Sequence, residues 1–118
     1  MTINCLIIED EPLAVEILEK HIETAFFGGK VNKIPFLQEA IEMIYIEKPD
    51  LIFLDINTKG IDKYYIQNIS KDILIIFTTA YPQVYIEKTL QIDLTGMGYL
   101  HKPISYQSFI KEVERMIG

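Results

Sequence analysis

The chain alternates short runs of apolar residues with longer stretches in which apolar residues recur every three or four positions. The short runs predict strands, and the longer stretches predict amphipathic helices that bury one face. The predicted strands cover 3–8, 31–36, 51–54, 73–78 and 98–101. The predicted helices cover 12–25, 37–48, 62–69, 82–91 and 105–117. Five strands alternating with five helices indicate an α/β fold with an open parallel sheet, helices on both faces and right-handed crossovers.

The clearest strand is 51–54, and a carboxylate, Asp55, follows it directly. Four apolar residues without alternation are typical of a strand that is covered on both faces, as in a parallel sheet. Ligands of such sheets bind beyond the carboxyl ends of the strands. Asp55 is therefore expected at a functional site.

Turn-forming residues punctuate the pattern and mark the predicted element boundaries. They are Gly28-Gly29, Lys48-Pro49-Asp50, Gly60 and Gly96. The strand that follows the first of these boundaries, 31–36, has the weakest pattern because it contains Asn32 and Lys33. Its limits are the least defined of the five.

Composition limits the classes of function. The 118 residues predict one domain, 1–118, that is large enough to bury a single core. The net charge of -6 argues against binding of the nucleic-acid backbone by this chain itself, since that contact needs cations. The single cysteine, Cys5, lies in an apolar run and is expected to be a buried, inert thiol. No secretion signal or membrane span is recognisable, which predicts a cytoplasmic protein with no membrane partner.

Polar side chains lie at the carboxyl ends of four of the predicted strands and should meet at one edge of the sheet. They are Glu9-Asp10-Glu11, Asp55, Thr78-Thr79 and Lys102. Carboxylates from two neighbouring strand ends would repel each other in a cleft unless a cation lay between them. Mg²⁺ fits because it prefers oxygen ligands and retains several waters. Two of the three acids at 9–11, together with Asp55, are therefore the candidate metal ligands.

A metal held by few protein groups leaves coordination positions for phosphate oxygens. Asp55 could then act as a nucleophile toward phosphorus while the metal neutralises charge on the transferring group. Lys102 would be a second cation at the site. The Thr79 hydroxyl could hydrogen-bond a phosphoryl oxygen once the group has arrived and draw its loop inward.

Four segments of the chain, in this order, resemble the receiver domain of bacterial two-component response regulators. They are Ile8-Glu9-Asp10-Glu11-Pro12-Leu13-Ala14, Pro49-Asp50-Leu51-Ile52-Phe53-Leu54-Asp55-Ile56, Phe77-Thr78-Thr79-Ala80-Tyr81-Pro82 and Tyr99-Leu100-His101-Lys102-Pro103-Ile104. The first and third are most similar to receivers attached to LytTR-type DNA-binding domains. The resemblance extends over essentially the whole chain.

The resemblance implies a flavodoxin-like (βα)5 three-layer sandwich with strand order 2-1-3-4-5. It also implies a role for individual residues. Asp55 would be the phospho-acceptor, Asp10 a direct Mg²⁺ ligand, and Glu9 a second acid acting directly or through water. The remaining roles are the main-chain carbonyl of Asn57 as a further metal ligand, Lys102 as the family's lysine, and Thr79 with Tyr99 as the switch pair.

The implied partners are a sensor histidine kinase and a second copy of the chain. Dimerisation would use helix 4, strand 5 and helix 5, which phosphorylation biases toward a conformation already present at low population. Because the chain stops just past the last helix, DNA contact would come only through an output domain absent here. The chain is expected to modify itself and to turn over no external substrate.

Two departures from the family pattern qualify the resemblance. Thr58-Lys59-Gly60 stands where many receivers have Met-Pro, which removes a rigid proline and adds a cation near the site. The segment 93–99 is longer than usual, so the exit of helix 4 should differ.

Three other functions remain open. A degenerate receiver could bind partners without being phosphorylated, and Thr58-Lys59 favours this. An aspartate-dependent phosphatase of the haloacid-dehalogenase type is suggested by Asp55-Ile56-Asn57-Thr58, but Asn57 replaces the general acid of such enzymes. A nucleotide-binding flavodoxin-like protein is less consistent with the chain, because no glycine-rich loop follows the first strand.

The candidate residues also have purely structural interpretations. The acids 9–11 could complement a helix dipole, and Asp55 could cap a turn. Thr78 and Thr79 could be ordinary strand residues. His21 and His101 lie far apart in sequence and show no metal-binding pattern, so both are interpreted as structural.

Overall fold

The computed structural model describes residues 2–25, 27–58, 60–91 and 94–118. Lys59 of the altered loop and Asp93 of the lengthened segment lie outside these residues. Five strands alternate with five helices in the described part of the chain. The elements are β1 Ile3–Ile8, α1 Pro12–Thr24, β2 Gly28–Ile34, α2 Leu37–Glu47, β3 Leu51–Asp55, α3 Lys63–Ile69, β4 Leu74–Thr79, α4 Gln83–Leu90, β5 Gly98–His101 and α5 Tyr106–Ile117.

The strands form one parallel sheet of order β2-β1-β3-β4-β5, which confirms the predicted flavodoxin-like topology. Strand β3 is central, and all five of its residues are buried. Its neighbours β1 and β4 run in the same direction, so the carboxyl ends of the three strands meet at one edge. That edge carries the acids of β1 and β3.

Each face of the sheet has its own apolar core. Buried residues of α1 and α5 cover one face, where the rings of Phe27 and Phe53 both stack on Phe109. Buried residues of α2, α3 and α4 cover the other. Cys5 is buried in the first core as expected, and burial, with the Asp50 charge, raises the pKa of its thiol to about 12. Such a thiol is inert at neutral pH.

Side chains at two helix starts explain where α3 and α5 begin. Asp62 accepts hydrogen bonds from the Tyr64 and Tyr65 amides, at 2.7 and 3.2 Å. Ser105, the residue before α5, accepts one from the Ser108 amide at 3.1 Å. These side chains satisfy amides that have no partner inside the helix.

Strand β2 corrects the sequence prediction. It begins at Gly28 rather than residue 31 and ends at Ile34 rather than residue 36, so Gly28-Gly29 opens the strand instead of separating elements. A Cβ at Gly29 would lie 2.2 Å from the carbonyl oxygen of Ile3. The glycine therefore allows β1 and β2 to approach closely.

Strand β5 forms the opposite edge of the sheet, and a side chain from α5 binds its outer side. Glu112 Oε2 accepts a hydrogen bond from the Tyr99 amide at 2.7 Å, and Glu112 Oε1 accepts one from Arg115 Nε at 2.7 Å. Burial alone would raise the pKa of Glu112, but the hydrogen bonds from Arg115 and from the Tyr99 amide lower it overall. Glu112 is thus held ionised against the strand.

Within the residues that the structure describes, none of the helices has the length and apolar character needed to cross a membrane.

Candidate functional site

Three carboxylates converge at the carboxyl ends of β1 and β3. Ile8 pairs with Leu54 in the sheet, so the residues that follow them, Glu9 and Asp55, lie side by side. One carboxylate oxygen from each of Glu9, Asp10 and Asp55 lies within 4.8 Å of the other two. Glu9 and Asp55 are buried, whereas Asp10 is exposed. The structure therefore brings the three predicted metal ligands together.

Lys102, which follows β5, reaches across the sheet edge to these acids. Its Nζ lies 2.6 Å from Glu9 Oε1, and it lies 3.8 Å from both Asp55 Oδ1 and Glu11 Oε2. Its side chain is 19% exposed, so the cation is only partly solvated. The predicted lysine and the predicted acids thus form one cluster.

The charges in this cluster shift each other's protonation. Burial raises the pKa of Glu9 to about 7, and the neighbouring Asp55 adds to this, while the hydrogen bond from Lys102 only partly opposes it. Burial alone would lower the pKa of Lys102, but its hydrogen bond to Glu9 and the charges of Asp55, Glu9 and Glu11 raise it overall. Lys102 therefore stays protonated, and the ionised form of Glu9 is less stable than that of an exposed glutamate.

Asp55 is hydrogen-bonded by the loop that follows it, and its side chain is almost fully buried. Its Oδ1 accepts a hydrogen bond from the Asn57 amide at 3.2 Å, and the Thr58 amide donates to the Asp55 carbonyl at 3.0 Å. Only 6% of the Asp55 side chain is exposed. The carboxylate is thus largely shielded from solvent in this conformation, with Lys102 Nζ 3.8 Å from its Oδ1.

The predicted switch residues meet at the loop between β4 and α4. Thr79 Oγ1 accepts a hydrogen bond from the Tyr81 amide at 3.0 Å. The Tyr99 hydroxyl donates to the Tyr81 carbonyl at 2.6 Å, and His101 Nε2 lies 3.1 Å from the Ala80 carbonyl. Strand β5 is thus fastened to the loop that follows Thr79.

His21 and His101 both bond to main-chain carbonyls. His21 Nε2 lies 2.8 Å from the Ile104 carbonyl, and its ring packs against Tyr106 and Phe109. Each histidine ring thus has a main-chain carbonyl within hydrogen-bonding distance.

Two buried threonine hydroxyls were not assigned a functional role from the sequence. Thr58 Oγ1 and Thr78 Oγ1 are inaccessible, and neither has a hydrogen-bond partner among the described residues. The signal for Thr78 was the pair Thr78-Thr79 at a strand end. Because side chains alternate along a strand, one of two consecutive threonines must share a face with the neighbouring Asp55.

The donor set of the cluster suits a hard divalent cation. All three candidate ligands are carboxylates, without nitrogen or sulfur, which is the chemistry of Mg²⁺ and Ca²⁺ sites. Glu11 lies beside Lys102 in addition to the three candidate ligands, so the acids outnumber the lysine and a cation would balance part of the remaining negative charge. The residues present therefore fit a metal of the kind expected.

The chain is similar to several known proteins. Residues 5–114 match the family model described as the response regulator receiver domain. The chain is 31% identical to Sensory transduction protein LytT of Enterococcus faecalis over 116 residues, which are 95% of this chain and 47% of that protein. It is 29% identical to Transcriptional regulatory protein LytR of Staphylococcus aureus over 117 residues, 96% of this chain and 46% of that protein.

A solved structure extends the comparison to the fold. The chemotaxis protein CheY4 of Vibrio cholerae superposes with a TM-score of 0.77 at 18% identity, covering 99% of this chain and 100% of that one. The chain spans somewhat less than half the length of the two curated relatives, at 47% and 46%. The family model covers nearly all of the chain, so this chain belongs to the response regulator receiver domain family.

Proposed function

We propose that this chain is a two-component signalling receiver that accepts a phosphoryl group from a sensor histidine kinase onto Asp55. One observation supports this most directly. The Asp55 carboxylate ends the central buried strand and lies between two further acids and the ammonium group of Lys102. A carboxylate so placed can attack phosphorus while cations on both sides bind the phosphoryl oxygens.

The proposed metal is Mg²⁺, held by Glu9, Asp10, Asp55 and the main-chain carbonyl of Asn57. When bound, it would neutralise charge on the transferring phosphoryl group. In the transfer itself, an Asp55 oxygen forms a bond to phosphorus as the bond from phosphorus to the donor's nitrogen or oxygen breaks. The bonding electrons leave with the donor. Lys102, released from Glu9, pairs with a phosphoryl oxygen.

The proposed switch begins at Thr79. Its hydroxyl now accepts a hydrogen bond from the Tyr81 amide, and a phosphoryl oxygen on Asp55 would instead take a hydrogen bond from that hydroxyl. Because Tyr99 is bonded to the Tyr81 carbonyl, a shift of this loop would also move Tyr99. The surface of α4, β5 and α5 would then favour pairing with a second receiver.

The output is proposed to lie in another part of a longer, cytoplasmic protein. The curated relatives are about twice as long as this chain, and one is named as a transcriptional regulatory protein. DNA contact through a LytTR-type domain would fit that name and the net charge of -6. The receiver itself would turn over no external substrate.

A degenerate receiver is the second candidate, and one observation favours it. With only 6% of its side chain exposed and Lys102 beside it, Asp55 is poorly accessible in this conformation. If Lys102 never leaves Glu9, the chain would bind partners without being phosphorylated.

The experiment that separates these functions uses a small phosphodonor. The protein is incubated with Mg²⁺ and acetyl phosphate, and intact mass is measured beside the Asp55→Asn variant. We expect one base-labile, hydroxylamine-sensitive phosphoryl adduct on the parent chain and none on the variant. Absence of an adduct on the parent chain would support the degenerate receiver. Continuous release of phosphate from an unrelated phosphomonoester would instead support a phosphatase.

A further inference from the structure

Thr78, the next-to-last residue of β4, is one of two buried threonines near the site whose hydroxyl has no partner among the described residues. It is 0% exposed, and its Oγ1 has no hydrogen-bond partner among the described residues. A buried hydroxyl without a partner is destabilising, because it loses its bonds to water and gains none. A valine would fill the same volume without that cost, so the hydroxyl requires an explanation.

The sheet register places this hydroxyl beside Asp55. Thr78 is the direct partner of Asp55 between β3 and β4, and side chains of directly paired residues project from the same face of a sheet. This is the face covered by α1 and α5, because the apolar residues beside Asp55 and Thr78 on the same face belong to the core under those two helices. These neighbours are Phe53, Ile76 and Leu100.

Thr78 is also flanked on its other side by the strand that carries the lysine. It pairs with Leu100 of β5, two residues before Lys102. Lys102 reaches over this row to Asp55 and Glu9. The unpartnered hydroxyl therefore lies beneath the cluster, on the side of Asp55 opposite Glu9.

We infer that the Thr78 hydroxyl donates a hydrogen bond to the Asp55 carboxylate when that group turns to attack phosphorus. The inference rests on the proposed function. One Asp55 oxygen forms the bond to phosphorus as the bond from phosphorus to the donor breaks. The other oxygen becomes the carbonyl oxygen of the acyl phosphate and accepts the Thr78 hydrogen bond. Thr78 is thus a positioning residue that determines which oxygen reacts.

The test compares Thr78→Val, which removes only the hydroxyl, with Thr78→Ser, which retains it. Because the Thr78 hydroxyl has no partner in the unphosphorylated protein, it destabilises the folded state. Thr78→Val should therefore raise the unfolding temperature by about 2 to 6 °C. The same variant should slow phosphorylation by acetyl phosphate with Mg²⁺ by about tenfold, the effect of losing one hydrogen bond to a charged group. Thr78→Ser should recover most of the rate, although its smaller side chain lowers stability.

The control is Thr24→Val, which removes a hydroxyl that donates to the Lys20 carbonyl at the end of α1, and it should leave the rate unchanged. A Thr78→Val chain that is phosphorylated as fast as the parent would overturn the inference. So would a lower unfolding temperature, because it would mean that the hydroxyl already has a resting partner. Failure of the parent chain itself to form the adduct is a different result, which rejects the proposed function and this inference with it.

Discussion

The contact between Lys102 and Glu9 is the closest charged interaction of the site, at 2.6 Å. The sequence predicted that Lys102 would face the acids, because both follow strands of one parallel sheet. It could not predict which acid the lysine would contact, since the choice depends on a long side chain that crosses two intervening strands. The unpartnered state of Thr78 was equally beyond reach, because only the packed structure shows which hydroxyls lack partners.

The raised pKa of Glu9 predicts a pH dependence of stability in the absence of divalent metal. Burial raises this pKa from 4.5 to about 7, so between these values the folded state binds a proton that the unfolded chain has released. The stabilisation is complete below pH 4.5 and is lost as the pH rises through 7. The unfolding free energy of the parent should therefore decrease between about pH 5 and pH 8. In Glu9→Gln, which has no titrating group at this position, that decrease should be smaller by on the order of 1 kcal/mol.

Calorimetric unfolding in EDTA at several pH values measures this difference. Other titrating groups are common to both chains, so the parent serves as the reference at each pH. Equal pH dependence in the two chains would show that Glu9 does not hold the proton.

Among the elements, the helices and the buried strands were predicted to within two residues at each end, but β2 was not. Helices can be recognised from the sequence because one face is buried and apolar while the other is polar. Strand β2 is an edge strand with one open side, so it tolerates Asn32 and Lys33 and has no continuous apolar run. The local sequence places Gly28-Gly29 at an element boundary, because the close approach to Ile3 is a property of the strand pairing and not of the local sequence.

The close approach at Gly29 predicts an unusually large effect of a small substitution. Gly29→Ala would place a Cβ 2.2 Å from the Ile3 carbonyl oxygen, and backbone cannot yield as a flexible side chain does. We expect a loss of about 2 kcal/mol or more in the unfolding free energy, measured by urea denaturation.

Gly60→Ala is the matched control. Gly60 has a φ of +81° but open space around its Cβ position, so the cost should be limited to conformational strain of about 1 kcal/mol. A Gly29→Ala chain as stable as the control would mean that β1 and β2 can separate at this point without penalty.

The molecule as a whole presents an exposed apolar surface on α4 and the loop before it. Tyr81 and Tyr85 stack with ring centroids 4.4 Å apart, and Val84 is 57% exposed beside them. The sequence alone predicted neither the stack nor its exposure. Only the family resemblance indicated that this side of the molecule would pair two receivers.

The proposed dimer predicts that Val84→Lys remains monomeric after phosphorylation. A lysine at the centre of an apolar contact would have to be desolvated, whereas the phosphoryl site lies on another part of the chain and should react normally. Sedimentation of the phosphorylated chains measures the association, and intact mass measures the adduct. Ile46→Lys changes a similarly exposed aliphatic residue on α2, and it should dimerise as the parent does. Dimerisation of phosphorylated Val84→Lys would place the contact elsewhere.

The bond between Glu112 and the Tyr99 amide limits how copies of this protein can associate. An amide without a hydrogen-bond partner on the outer side of an edge strand can pair with a strand from another molecule. Here the Glu112 carboxylate already accepts the hydrogen bond from the Tyr99 amide. Glu112 is in turn held by a hydrogen bond from Arg115. A second strand is therefore hindered from pairing at this amide, and a partner that approaches this part of β5 would contact the α5 side chain that covers it.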